Sequence, residues 1–208
     1  MEFSGKKVTV VGTGISGIGA VGLLNAVGAE VVLYDGNEKL KIEDIEKKLG
    51  TYKAEIVLGE LTKELTDSSD LLVISPGVPI DSPVVKAFEA AGVPVWGEVE
   101  LAYAFDKGKV LAITGTNGKT TTTALVGQIV GAYHKDTFVV GNIGNPYTTE
   151  VLKSNKDSYT VAEISSFQLE TVHEFHPLVS AILNITPDHL NRHGTMENYI
   201  EVKERVAV

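Results

Sequence analysis

The stretch Val110-Leu111-Ala112-Ile113 leads through Thr114 into Gly115-Thr116-Asn117-Gly118-Lys119-Thr120-Thr121-Thr122, and the segment from Thr122 to Gly131 that follows reads as a helix. An apolar strand, a glycine-bounded turn and a helix form one unit. The glycines let several backbone N–H groups turn toward a single anion, and the helix start adds the positive end of its dipole. Lys119 supplies charge, and the Thr120 hydroxyl can ligate magnesium. Such a unit is suited to a nucleoside triphosphate. The general pattern G-x-x-x-x-G-K-[ST] is met only in part, because its first glycine would fall at position 113, which is Ile. An ordinary Gly-Lys-Thr turn opening a helix is the plainer alternative.

Outward from this unit, short apolar runs alternate with helical patterns. Lys7 to Val11, Glu30 to Tyr34, Glu55 to Leu58, Leu71 to Ile74 and Val93 to Trp96 read as strands, with helices at Ile18 to Val27 and Pro83 to Ala91. After Gly97 the rhythm restarts with a helix from Glu98 to Phe105, the phosphate-loop strand, and apolar runs at Thr137 to Val140, Tyr159 to Ile164 and Leu178 to Ile185. The expected class is α/β: an N-terminal Rossmann-like parallel-sheet domain over 1–97, then a truncated P-loop-type ATP-binding α/β domain over 98–208.

Composition narrows the partners. With 208 residues and 43% hydrophobic content the chain can bury a sizeable core, and a net charge of −9 leaves no basic footprint for nucleic acid or an anionic membrane. Phosphate ligands must therefore be met locally, by loops and a few cations. The absence of cysteine excludes disulfides, thiolate metal sites and a cysteine nucleophile. No signal-peptide layout and no membrane-spanning stretch is evident, so a cytoplasmic location is expected.

The first domain opens with Val10-Val11-Gly12-Thr13-Gly14-Ile15-Ser16-Gly17, a G-x-G-x-x-G placed after a strand and before a helix, and Asp35 closes the second strand. On these residues alone a nicotinamide-dependent oxidoreductase is a fair reading, since the acid would hold a ribose hydroxyl. A tight strand-to-helix turn with no ligand is the other. Ser75-Pro76-Gly77 follows the fourth strand, at a carboxyl edge where open parallel sheets bind ligands. In the second domain Glu163 closes a strand beside the phosphate loop, a position suited to a hard cation, although such an acid is often only a solvated strand end. Adjacent Asp188 and His189 can be orienting partner and ligand. Arg192 and His193 could equally face solvent.

Taken together, Gly115 to Thr122, Gly141-Asn-Ile-Gly144, Glu163-Ile-Ser-Ser-Phe-Gln-Leu-Glu170 and Asn184-Ile-Thr-Pro-Asp-His-Leu-Asn-Arg-His193, in this order, resemble the Mur ligases of peptidoglycan precursor synthesis. The Glu-Ile-Ser-Ser-Phe-Gln run and the Gly12 to Gly17 start are most similar to the branch that adds D-glutamate. The resemblance covers essentially the whole chain, with Gly36 and Asn191 at positions where members differ. It implies an ATP-dependent amide-forming ligase: the γ-phosphoryl of ATP passes to the carboxylate of UDP-N-acetylmuramoyl-L-alanine, and D-glutamate attacks the acyl phosphate.

The resemblance also implies roles. ATP would be held by Gly115, Thr116, Asn117, Gly118, Lys119, Thr120 and Thr121, with Lys119 at the β- and γ-phosphates and Thr120 on magnesium. Glu163 and His189 would share a second magnesium, with Asp188 orienting His189. Gly14, Ile15, Ser16, Asp35, Ser75, Pro76 and Gly77 would frame the UDP pocket, and Asn142 and Ser165 would meet the muramoyl-alanine arm. Lys203 matches the lysine that the family carbamylates, a change from cation to magnesium-binding anion; by sequence alone it reads as a helix-surface lysine. The family carries a longer central domain and a third, D-glutamate-binding domain. The expectation for these residues alone is therefore a monomeric fragment that binds the UDP-sugar, binds ATP weakly or not at all, and lacks ligase activity. A non-catalytic nucleotide-binding module stays open, and a folate-polyglutamate type would share part of the phosphate loop without the leading domain.

Overall fold

The computed structural model describes residues 3–207. Strand β1 (Lys7–Val11) leads into helix α1 (Ile15–Ala26), followed by β2 (Glu30–Asp35), α2 (Ile42–Leu49), β3 (Glu55–Leu58), α3 (Lys63–Ser68), β4 (Leu71–Ile74), α4 (Pro83–Ala90) and β5 (Val95–Gly97). These five strands form one parallel sheet in the order β3-β2-β1-β4-β5. Helix α5 (Glu98–Tyr103) then begins a second unit, with β6 (Lys109–Thr114), α6 (Lys119–Tyr133), β7 (Thr137–Gly141), α7 (Tyr147–Glu150), β8 (Tyr159–Glu163), α8 (Ser166–Leu169), β9 (Val179–Ile182), α9 (Leu190–His193) and α10 (Met196–Glu204). Its sheet is also parallel, in the order β7-β8-β6-β9. Both sheets bear out the α/β class.

Alternation along the strands explains the layers. Val8 and Val10 of β1 join a cluster with Ala20, Val21, Leu23 and Leu24 of α1, whereas Val11 joins the opposite cluster with Val85 and Phe88 of α4. Both faces are covered, which is why these strands read as near-continuous apolar runs. The first cluster does not stop at the junction. It continues through Val99 and Leu101 of α5 into Val110, Ala112, Val140, Tyr147 and Ile164, so the two sheets share one apolar core.

The differences from the sequence reading have local causes. Helix α6 starts at Lys119 rather than Thr122, because Gly118 at φ 83° turns the chain directly into the helix. Strand β9 ends at Ile182, short of Ile185, because Asn184 serves the Gly115–Gly118 turn instead of the sheet: its carbonyl accepts from Thr116 N (2.9 Å) and its Oδ1 from Asn117 N (2.9 Å). The last strand of the first sheet begins at Val95, two residues past the expected start.

Candidate functional site

In each sheet the strand order reverses around one strand, β1 in the first and β6 in the second, and a glycine turn lies at the carboxyl end of each. That is the crevice where open parallel sheets take ligands. After β1, Gly12 has φ 104°, and a Cβ on Gly17 would stand 1.9 Å from Gly12 O, so only glycine allows the turn to close. Asp35 braces it: Oδ2 accepts from Thr13 N (3.3 Å) and Thr13 Oγ1 (3.0 Å), while Oδ1 accepts from Asn37 N (3.0 Å). Ser75 Oγ is buried beside Gly12 and has no hydrogen-bond partner. Nothing lies within 4 Å of where a Cβ on Gly14 or Gly77 would be, so both turns present open backbone. Ile15 stands 79% exposed at the start of α1, and a cleft of about 550 Å³ runs from Gly14 and Ile15 to Asn145 and Glu150 of the second unit.

Around the second turn two lysines converge. Lys119 Nζ donates to Gly115 O (2.9 Å) and Thr116 O (3.0 Å), and Lys203 Nζ donates to the same Gly115 O (2.9 Å) and to Thr114 Oγ1 (3.3 Å). The helix-surface reading of Lys203 is corrected: it is 1% exposed, with its ammonium 4.8 Å from the Tyr199 ring centroid. Burial first, and the Lys119 charge second, pull its pKa down to about 8. Thr120 and Thr121 are exposed on the first turn of α6. The Thr116 hydroxyl meets Tyr199 OH (3.1 Å) and accepts from Thr186 N (3.0 Å), binding the turn to the loop after β9.

Glu163, at the end of β8, is 1% exposed. One carboxylate oxygen accepts from Asn142 Nδ2 (2.8 Å), and the other, Oε2, has no partner. Gly141 makes this possible, since a Cβ there would lie 2.2 Å from Glu163 O. Ser165 caps α8 and is turned inward: its N and Oγ both donate to Gln168 Oε1 (2.8 and 2.9 Å), and Gln168 Nε2 donates to Glu98 Oε1 (2.9 Å). Glu98 is fully buried, and desolvation raises its pKa to about 7. The sequence reading gave no role to Glu98, Gln168 or Asn184: the first two are buried and bonded to each other, and the exposed Asn184 bonds the Thr116–Asn117 turn.

His189 has φ 51° and ψ 28°, and it is the one non-glycine residue with positive φ among the described residues. That conformation is strained for a histidine. Asp188 holds it, through Oδ1 to His189 N (2.9 Å) and Oδ2 to Nε2 (3.5 Å), and the half-exposed ring packs 4.9 Å from the Phe167 centroid. Arg192 and His193 do not face solvent. His193 is 7% exposed with Nε2 3.0 Å from Ser166 Oγ, and burial lowers its pKa; Arg192 is paired with Glu170. No group of three or more carboxylate or imidazole ligands occurs among the described residues. Among them, too, no helix is long and apolar enough to cross a membrane.

Comparison with known proteins agrees with this layout. The profile of the Mur ligase MurD-like N-terminal domain matches residues 6–97, and that of the Mur ligase middle domain matches residues 113–207. UDP-N-acetylmuramoylalanine--D-glutamate ligase of Lachnospira eligens is 71% identical over 207 residues, covering 100% of this chain and 46% of the relative. Its counterpart in Lachnoclostridium phytofermentans is 60% identical over 208 residues, with the same shares. The chain thus spans about half the length of these relatives. Among solved structures, a UDP-N-acetylmuramate:L-alanyl-gamma-D-glutamyl-meso-diaminopimelate ligase from Neisseria meningitides shares the fold, with TM-score 0.61 and 18% identity over 99% of this chain and 69% of its own.

Proposed function

Because the chain belongs to the Mur ligase family, we propose that it forms the nucleotide-sugar and ATP-binding part of an enzyme that joins D-glutamate to UDP-N-acetylmuramoyl-L-alanine. Residues 1–97 would hold the UDP-sugar, and 98–208 would be part of the ATP-binding unit. The reaction belongs to the whole polypeptide, whose further residues would hold D-glutamate.

The observation that carries the reading is the buried Glu163 carboxylate, with one oxygen tied to Asn142 and the other without a donor. A buried carboxylate oxygen left unpaired is costly unless a cation meets it. Glu163, the exposed hydroxyl of Thr120 and the imidazole of His189 would be the donors, too few for a complete cage, in keeping with the lack of a group of three or more carboxylate or imidazole ligands among the described residues. The remaining ligands would be phosphate and substrate oxygens, which suits magnesium. When bound, magnesium would lower the repulsion between the triphosphate and the substrate carboxylate.

The chain's own groups would do the rest. Lys119 is already drawn over the phosphate turn, and phosphate oxygens would compete with the two carbonyls it now serves. Asn142 fixes the carboxylate it donates to, and Asp188 holds the His189 ring against Phe167. At the other edge, the unpartnered Ser75 hydroxyl and the open backbone at Gly14 and Gly77 fit a diphosphate. Lys203 has the environment for carbamylation. Its neutral amine would attack carbon dioxide, forming an N–C bond as a carbonyl electron pair moves to oxygen and an N–H proton leaves to solvent. Beside Lys119, an anion in place of a cation turns repulsion into attraction.

Calorimetric titration of this chain with UDP-N-acetylmuramoyl-L-alanine, with NADH as control, tests the reading. Micromolar or tighter binding of the UDP compound, lost on Ser75→Ala with Asp35→Asn, is the expected result. Binding of NADH alone would overturn it in favour of an oxidoreductase.

A further inference from the structure

Arg192 makes a set of bonds that the ligase chemistry leaves unused. It lies in α9 between His189 and His193, its side chain is 14% exposed, and its guanidinium reaches outside its own helix. Nε donates to Glu170 Oε1 (3.2 Å) and Nη2 to Glu170 Oε2 (2.5 Å), a fork on one carboxylate. Nη2 also donates to Val78 O (3.0 Å), which belongs to the first unit. Val78 closes the turn after β4, where its N donates to Ser75 O (2.9 Å). The guanidinium stands 4.9 Å from the Phe167 centroid, against the ring on which His189 also packs. Glu170 is the anchor. Its carboxylate is 4% exposed and lies 3.5 Å from His193 Nδ1, and its carbonyl accepts from Arg205 Nη1 (3.0 Å).

We infer that Arg192 is a positioning residue that clasps the Ser75–Val78 turn of the first sheet to the His189 loop of the second, so that a ligand seated on one is sensed at the other. The inference rests on the reading of these two loops as arms of one substrate site. The geometry requires a guanidinium. A planar fork can hold both oxygens of Glu170, spare an N–H for Val78 O and lie against Phe167, whereas the single ammonium of lysine keeps the charge and loses the fork. The fork also fixes the loop where the backbone is strained: Arg192 N donates to His189 O (2.9 Å), so holding the guanidinium holds the left-handed residue three positions earlier.

Hydrogen–deuterium exchange read by mass spectrometry, on this chain with and without UDP-N-acetylmuramoyl-L-alanine, tests the clasp in the unsubstituted protein and in Arg192→Lys. Without ligand, amides of 75–80 and 188–194 should exchange about tenfold faster in Arg192→Lys, with the sheets unchanged. With ligand, the unsubstituted chain should gain protection in both segments and the variant only in 75–80. Faster exchange spread through the whole chain would mark a merely structural residue and overturn the proposal. So would ligand protection that still reaches 188–194 in the variant. Should Arg192→Lys fold poorly, the pair Arg192→Met with Glu170→Gln removes both charges together, leaves neither buried alone, and is read in the same way. If the unsubstituted chain does not bind the nucleotide sugar, the assignment of that ligand to residues 1–97 falls. The ligand-free comparison then decides the clasp by itself, and equal rates at 75–80 and 188–194 would overturn it.

Discussion

Lys203 shows at the scale of one residue how burial prepares chemistry. Its amine is held near pH 8 by desolvation and by Lys119, so the neutral, nucleophilic fraction is small at pH 6.5, about half at pH 8, and larger above. Labelling the chain with ¹³C-bicarbonate should therefore give a carbamate carbonyl resonance that grows from pH 6.5 to 8.5 and is missing in Lys203→Arg. A spectrum with no such signal at pH 8.5 under saturating bicarbonate would tell against the modification. The burial was legible in principle, since Met196, Tyr199, Lys203 and Val206 follow one another at spacings of three and four, putting a lysine in an otherwise apolar stripe. Arg192 gave no such signal. It sits in a four-residue helix, too short for periodicity, and its partners lie 22 and 114 positions away in the chain.

At the scale of elements, the strands of the first sheet were legible because both of its faces are covered, which turns a strand into an unbroken apolar run, whereas β9 of the second sheet keeps Val179 and Ile182 exposed. The short helices α7, α8 and α9 were not, since four residues complete barely one turn and tertiary contacts decide them. The two glycine turns were legible as strand-to-helix turns, and Glu163 as a strand-end acid. The support around them, Gln168 on Glu98 and Asn184 on the Thr116–Asn117 turn, was not, because it depends on which strands become neighbours. Helix α10, which carries Lys203, starts at Thr195, whose Oγ1 accepts from Asn198 N (3.2 Å). Thr195→Ala should cost about 1 kcal/mol and lower the melting temperature by roughly 2–4 °C, while Thr195→Ser should be close to neutral. A thermal shift of zero for Thr195→Ala would show that packing alone holds the start of this helix.

For the molecule as a whole, the shared core outweighs the division into two sheets. Gly19 brings α1 so close to α7 that a Cβ there would meet Thr148 Oγ1 at 2.6 Å, and the apolar cluster passes from α1 through α5 to β6 and β8. Scanning calorimetry should accordingly show one unfolding transition, with calorimetric and van't Hoff enthalpies equal. Two resolved transitions would mean that the sheets unfold independently. The same core should make covalent continuity between residues 103 and 109 dispensable. If the chain were cut there, each piece would carry an apolar face shaped to the other, and the two would be expected to reassemble from separate polypeptides. The protein could thus serve as a split reporter whose recovered fold reports that its halves have met.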